Sequence, residues 1–145
     1  MRILTILILV LFTTSSCDRN EGLEETRRLA EAGNSGSQLM LGWYYDNGLG
    51  VAEDDAEARK WWRKAAEAGN ARGQKRLGYM YEEGHGVSKN YRHAYMWYSI
   101  ATSHPGDIGA ELPLEFLEKK MTPDDISAAQ QMAARCLESN YKDCN

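Results

Sequence analysis

Three histidines, three cysteines and several adjacent acid pairs are the side chains of this 145-residue chain that could carry chemistry. His85 and His93 flank one turn and could approach as a metal pair, but a zinc site takes three or four ligands, and solvent-exposed single histidines are commoner. His104 stands apart beside Pro105. Asp54-Asp55, Glu82-Glu83 and Asp124-Asp125 could divide acid and base roles only if one carboxyl of a pair were desolvated and its pKa raised. No apolar run surrounds them, and they fit helix ends, where capping, the helix dipole or plain exposure explains the charge. The chain has no glycine-rich phosphate loop before a helix, no Gly-x-Ser-x-Gly elbow and no His-Glu-x-x-His pair. The expectation is a chain that is not an enzyme and needs no metal or cofactor, with a hydrolase as the alternative class.

The cysteines divide differently. Met1-Arg2, the apolar stretch 3–12 and Thr13-Thr14-Ser15-Ser16 have the layout of a secretory leader, and ten apolar residues are too few for a permanent span. Thr14-Ser15-Ser16-Cys17 resembles the bacterial lipobox, with threonine where leucine is usual. Cleavage before Cys17 and acylation there would anchor the chain to a membrane through several acyl chains. The alternative is ordinary cleavage and a soluble periplasmic or secreted product. With Cys17 assigned to lipid, Cys136 and Cys144 remain as a pair in an oxidising compartment. An uninterrupted helix through both would hold their α-carbons about 12 Å apart, too far to bridge, so a disulfide requires the helix to end near Asn140. Two unpaired thiols are the alternative.

Composition narrows the partners. The formal net charge is −4, and losing Arg2 with the leader makes it −5. Arg59, Lys60, Arg63 and Lys64 interleave with Asp54, Asp55, Glu57 and Glu67, as a solvated helix surface would, so nucleic-acid binding is disfavoured.

The elements that position these residues come from an internal echo. Residues 34–66 laid over 70–102 match at 11 of 33 positions, so one supersecondary unit repeats every 36 residues and stacks on its copy. Leu41 and Tyr45 share a face of a first helix that Gly48 and Gly50 end. Asp54, or Asn90 in the second copy, stands where an N-cap is needed for the next helix. There Ala58, Trp61 and Ala65 form an apolar stripe that stops at Gly69. Small Gly42 and Ala65 beside large Tyr45 and Trp61 suit close helix packing. Residues 29–34 mirror 65–70, which makes the preceding segment the second helix of a truncated leading unit. Thr122-Pro123-Asp124-Asp125 opens a last helix with cap, proline and early acids.

Leu41-Gly42-x-x-Tyr45-x-x-Gly48-x-Gly50-Val51-x-x-Asp54, followed by Ala58, Trp61, Ala65-Ala66 and Gly69-Asn70, resembles the Sel-1-like repeat, a relative of the tetratricopeptide repeat. The second copy keeps the frame with Asn90 for the aspartate and Thr102 for the second alanine. The resemblance implies an all-α, right-handed α-α superhelix of about seven helices with a C-terminal capping helix pair. The expected division is signal peptide 1–16, tether 17–22, truncated half-repeat 23–35, repeats 36–70 and 71–103, and capping helices 104–145. It further implies a protein-binding role without shared catalytic residues, either as an adaptor in the cell envelope or as a dedicated inhibitor of a toxic enzyme.

The variable positions then indicate a binding surface. With Leu41, Tyr45, Leu77 and Tyr81 taken by the core, Met40, Trp43 and Asn47 in one copy and Arg76, Tyr79 and Glu83 in the next would line the inner curve. Trp43 and Tyr79 are aromatic where the fold does not require it, and Trp, Tyr and Arg dominate interface energetics. The alternative for Trp43 is packing on the leading half unit. Tyr44 and Met80 are expected between repeats, and Trp62 and Tyr98 as covers on neighbouring helices.

Overall fold

A computed structural model describes residues 21–104 and 111–145. The leader and Cys17 lie outside the described residues, as do most of the tether and the turn after His104. Among the described residues there are seven helices and no strand: α1 (21–31), α2 (Ser35–Asn47), α3 (Asp55–Glu67), α4 (Ala71–Glu83), α5 (Tyr91–Thr102), α6 (Glu111–Glu118) and α7 (Pro123–Glu138). None of them is long and apolar enough to cross a membrane. Glu21 and Gly22 already belong to α1, although the sequence assigns them to the tether. The cause is Leu23, which is buried against Leu41 and Trp61 and so draws the first turn onto the stack.

Five of the seven helices start where a side chain can take up orphan amides. Asp54 accepts from the amides of Ala56 and Glu57, Asn90 from His93 and Thr122 from Asp125. Asn34 and Asn70 do the same for Ser37 and Gly73, two caps that the repeat contains but that its glycines masked in the sequence. Gly48 and Gly84 end α2 and α4 with φ of 62° and 80°, a conformation that a side chain would strain.

The packing order is a stack. α2 lies on α3, α3 on α4, α4 on α5, and α5 on both α6 and α7, an α-solenoid of helical hairpins closed at one end. Trp61 packs with Leu23, Ala30 and Leu41 toward the leading half unit. Trp62, expected as a cover, is instead fully buried in the central cluster with Leu77, Met80, Met96, Trp97 and Ile100. Helix α3 is sandwiched between α2 and α4, so it buries two adjacent indoles on two faces. The ring that closes on Gly42 is therefore that of Trp62, and its period mate Tyr98 closes on Gly78. A Cβ at either glycine would enter the ring, which explains why the small position recurs.

Two further features lock the stack. Gln38 and Gln74, related by the period and both buried, donate from Nε2 to the carbonyls of Ala30 and Ala66 at 3.1 and 3.2 Å. Each thereby adds a second donor to a carbonyl at the end of the preceding helix that already accepts from the Gly33 or Gly69 amide, and so ties that end to the next helix. At the other end α7 stops at Glu138, the chain turns through left-handed Asn140 and Tyr141, and Cys136 is disulfide-bonded to Cys144 with the α-carbons 4.5 Å apart. Both half-cystines are buried against the central cluster.

Candidate functional site

The inner faces of α2 and α4 form the walls of a groove of about 1250 Å³. Positions 40 and 43 on α2 and their period mates 76 and 79 on α4 face it, because side chains three apart share a helix face. Met40, Trp43 and Tyr79 are 47%, 39% and 44% exposed, high values for large apolar or aromatic side chains. The leading half unit therefore does not enclose Trp43, whose ring instead leans on Tyr44 with centroids 5.9 Å apart. Tyr44 and Met80 lie in the interior, the first half-buried and the second fully.

The floor is formed by Trp62 and Tyr98, with Leu39 beside them. Trp62 is fixed by donation from its indole Nε1 to the Leu39 carbonyl at 3.1 Å. Tyr98 is fixed by donation from its hydroxyl to Glu82 at 2.8 Å. Burial, reinforced by the Glu82 carboxylate, pushes the Tyr98 phenol far above its ordinary pKa and keeps it a donor. Arg76 lies across the Trp62 ring with its guanidinium carbon 5.5 Å from the centroid, and Tyr79 is braced edge-on by His85 at 5.7 Å. The groove is thus a rigid aromatic floor with exposed anchors on two walls.

Asn47 and Glu83 are not among its lining residues. They occupy the last residues of α2 and α4, where the helices have run past the groove, and Asn47 donates back to the Trp43 carbonyl at 2.9 Å. Arg72 and Lys75 do line it, one turn before Arg76 and Tyr79. The signal for them was present in the sequence: 72, 75, 76 and 79 have the i, i+3, i+4, i+7 spacing of one helix face. A smaller hollow of about 410 Å³ adjoins the groove through Arg76 and Tyr79 and is lined by Asp46, Glu53, Asp55 and His85.

The other side chains of chemical interest are brought to different places. His85 meets Tyr79, whereas His93 stacks on Tyr81 at 5.0 Å, so the two histidines attend separate rings. Among the described residues no group of three or more His, Cys, Asp and Glu side chains converges as metal ligands would. Asp54 spends its carboxylate on backbone amides, and Glu82 accepts from Tyr98. Asp125 is held below its usual carboxylate range by Thr122 and then by Arg92, which reaches it from α5 at 2.6 Å.

Comparison with known proteins agrees with this architecture. The family described as Sel1 repeat matches residues 35–70 and 71–104. The crystal structure of a protective antigen present in uropathogenic Escherichia coli strains, displaying an SLR fold, superposes with a TM-score of 0.78 at 28% identity, over 84% of this chain and 27% of that one. The crystal structure of a Sel1 repeat protein from Oxalobacter formigenes superposes with a TM-score of 0.62 at 37% identity, over 66% of this chain and 39% of that one. The chain thus spans between a quarter and two fifths of the length of these relatives. No curated protein matches it significantly. Sel1 repeats are generally scaffolds that bind other proteins without catalysing reactions, and by two tandem copies over residues 35–104 this chain belongs to the Sel1 repeat family.

Proposed function

We propose that this chain is a protein-binding module of the bacterial cell envelope that holds one partner protein in the groove between α2 and α4, as an adaptor or as a dedicated inhibitor. The observation that carries the reading is the exposure of Met40, Trp43 and Tyr79 around a groove whose floor is already packed. Exposed aromatic side chains in a pre-formed site lose little conformational freedom on binding, which is how a small surface reaches useful affinity. At about 1250 Å³ the groove exceeds the roughly 300 to 1000 Å³ of ordinary small-molecule sites and suits a segment of a partner protein. The envelope location rests on the leader-like residues 1–16 and on Cys17 as the lipid attachment point.

Affinity capture from cell envelopes tests the binding role. The expected result is a stoichiometric partner that is retained by the wild-type chain and lost with Trp43→Ala. A single secreted toxin in that fraction favours inhibition, and several assembly factors favour an adaptor. Retention unchanged by Trp43→Ala refutes the groove, and turnover abolished by one polar substitution brings back the envelope hydrolase. For the anchor, Cys17→Ser should move the chain out of the detergent phase, and unchanged partition refutes lipidation.

A further inference from the structure

The charge of the groove is opposite to that of the chain. The whole sequence has 21 acidic against 17 basic residues, yet among the described residues the groove is lined by Arg72, Lys75, Arg76 and His104 and by no aspartate or glutamate. We infer that the partner element seated there is an extended acidic segment carrying apolar side chains, an inference that rests on the binding role proposed above.

Three observations carry it. The cations come from one face of α4 and stand beside Trp43, Trp62 and Tyr79, whose low-dielectric surfaces strengthen the attraction for an anion at close range. Neither Arg72 nor Arg76 is paired with a carboxylate among the described residues, and Arg76 is laid over the Trp62 ring, so its planar fork is oriented before a ligand arrives. A carboxylate can meet that fork through two parallel hydrogen bonds, while Met40, Trp43 and Tyr79 receive the apolar side chains of the same segment. The adjoining hollow limits the acidic stretch: Asp46, Glu53 and Asp55 repel it beyond Tyr79, so the acidic part lies toward Arg72 at the start of α4.

The test uses the full chain and two fluorescent peptides of about 12 residues, one alternating glutamate with leucine and phenylalanine, the other with lysine in place of every glutamate. The glutamate peptide should bind roughly tenfold tighter at low ionic strength and lose most of that advantage between about 50 and 300 mM salt. The combined change Arg72→Glu, Lys75→Glu and Arg76→Glu should reverse the preference, with helical content confirming that the variant is folded. Equal binding of the two peptides, a preference for the lysine peptide, or displacement of the glutamate peptide by phosphatidylglycerol vesicles or polyphosphate as readily as by unlabelled peptide overturns the inference. Capture of the envelope partner separates this failure from failure of the groove itself. Loss with Trp43→Ala but full retention by the charge-reversed chain removes the acidic segment and keeps the groove, whereas retention by both removes the groove.

Discussion

Trp97→Ala and Trp43→Ala should separate the core of the stack from its working surface. Trp97 is fully buried among Leu77, Met96 and Ile100. A large aromatic removes about 150 to 250 Å² from water, which at roughly 25 cal/mol per Å² amounts to about 4 to 6 kcal/mol. Alanine retains part of that area, and it also removes an indole N–H that has no hydrogen-bond acceptor among the described residues, relieving about 1 kcal/mol. The net expectation is about 4 kcal/mol, within the range of about 3 to 5 for truncation of a buried tryptophan. Unfolding entropy near 2.1 cal/mol/K per residue over about 120 residues converts this to a fall in midpoint of about 16 °C. Trp43, 39% exposed and resting on one neighbouring ring, should change stability by about 1 kcal/mol or less, about 4 °C. Thermal unfolding followed by circular dichroism reads both. A fall below about 4 °C for Trp97→Ala, or equal falls for the two variants, would refute the assignment of inner and outer faces.

Three other outcomes are expected. Cys144→Ser removes a cross-link spanning eight residues and should cost about 2.5 kcal/mol on the loop-entropy model, and reductant should lower the midpoint of the wild type similarly; an unchanged midpoint contradicts a stabilising tail clip. Gly73→Ala would set a Cβ 2.9 Å from that of Ala65 and 3.0 Å from the Ala66 amide, contacts that no rotamer relieves, and should cost about 1 to 3 kcal/mol; a neutral or stabilising effect in the same melts shows that α3 and α4 are not so close. Burial, then the nearby Arg63 charge, holds the His93 pKa below its ordinary value, so the unfolded chain takes up the proton first as pH falls. Its contribution is complete above the ordinary histidine pKa near 6.5 and is lost as pH drops below it toward the folded value. The wild type should therefore lose more stability than His93→Gln between about pH 7 and 5, and parallel profiles for the two would contradict the burial of that ring.

The helices were legible because their punctuation is local. Asp54, Asn90 and Thr122 cap by side chains that must sit next to the amides they serve, and Gly48 and Gly84 end helices through their own φ. Asn34 and Asn70 were harder to read, since each follows a glycine that already marks a boundary. Trp61 is buried as its stripe implies, whereas Trp62, expected as a cover, was misjudged for a different reason. A stripe of Ala58, Trp61 and Ala65 describes one buried face, and a single period cannot reveal that α3 has a neighbour on each side. Gln38 and Gln74 repeat in the sequence, but their worth depends on carbonyls eight residues back, brought within reach only by the inter-helix turn. The groove was half legible for the same reason. Met40, Trp43, Arg76 and Tyr79 follow from asking which positions the core leaves unused. That Asn47 and Glu83 fall beyond the groove while Arg72 and Lys75 enter it depends on where α2 and α4 diverge, a property of the assembled stack.

The most direct test of a partner held between α2 and α4 is site-specific photo-crosslinking in cells. A benzophenone side chain at position 43 or 79 should yield one covalent adduct of defined mass, and the same group at the exposed positions 24 and 131 on α1 and α7 should yield none. Adducts formed equally from all four positions, or only from 24 and 131, would contradict the account.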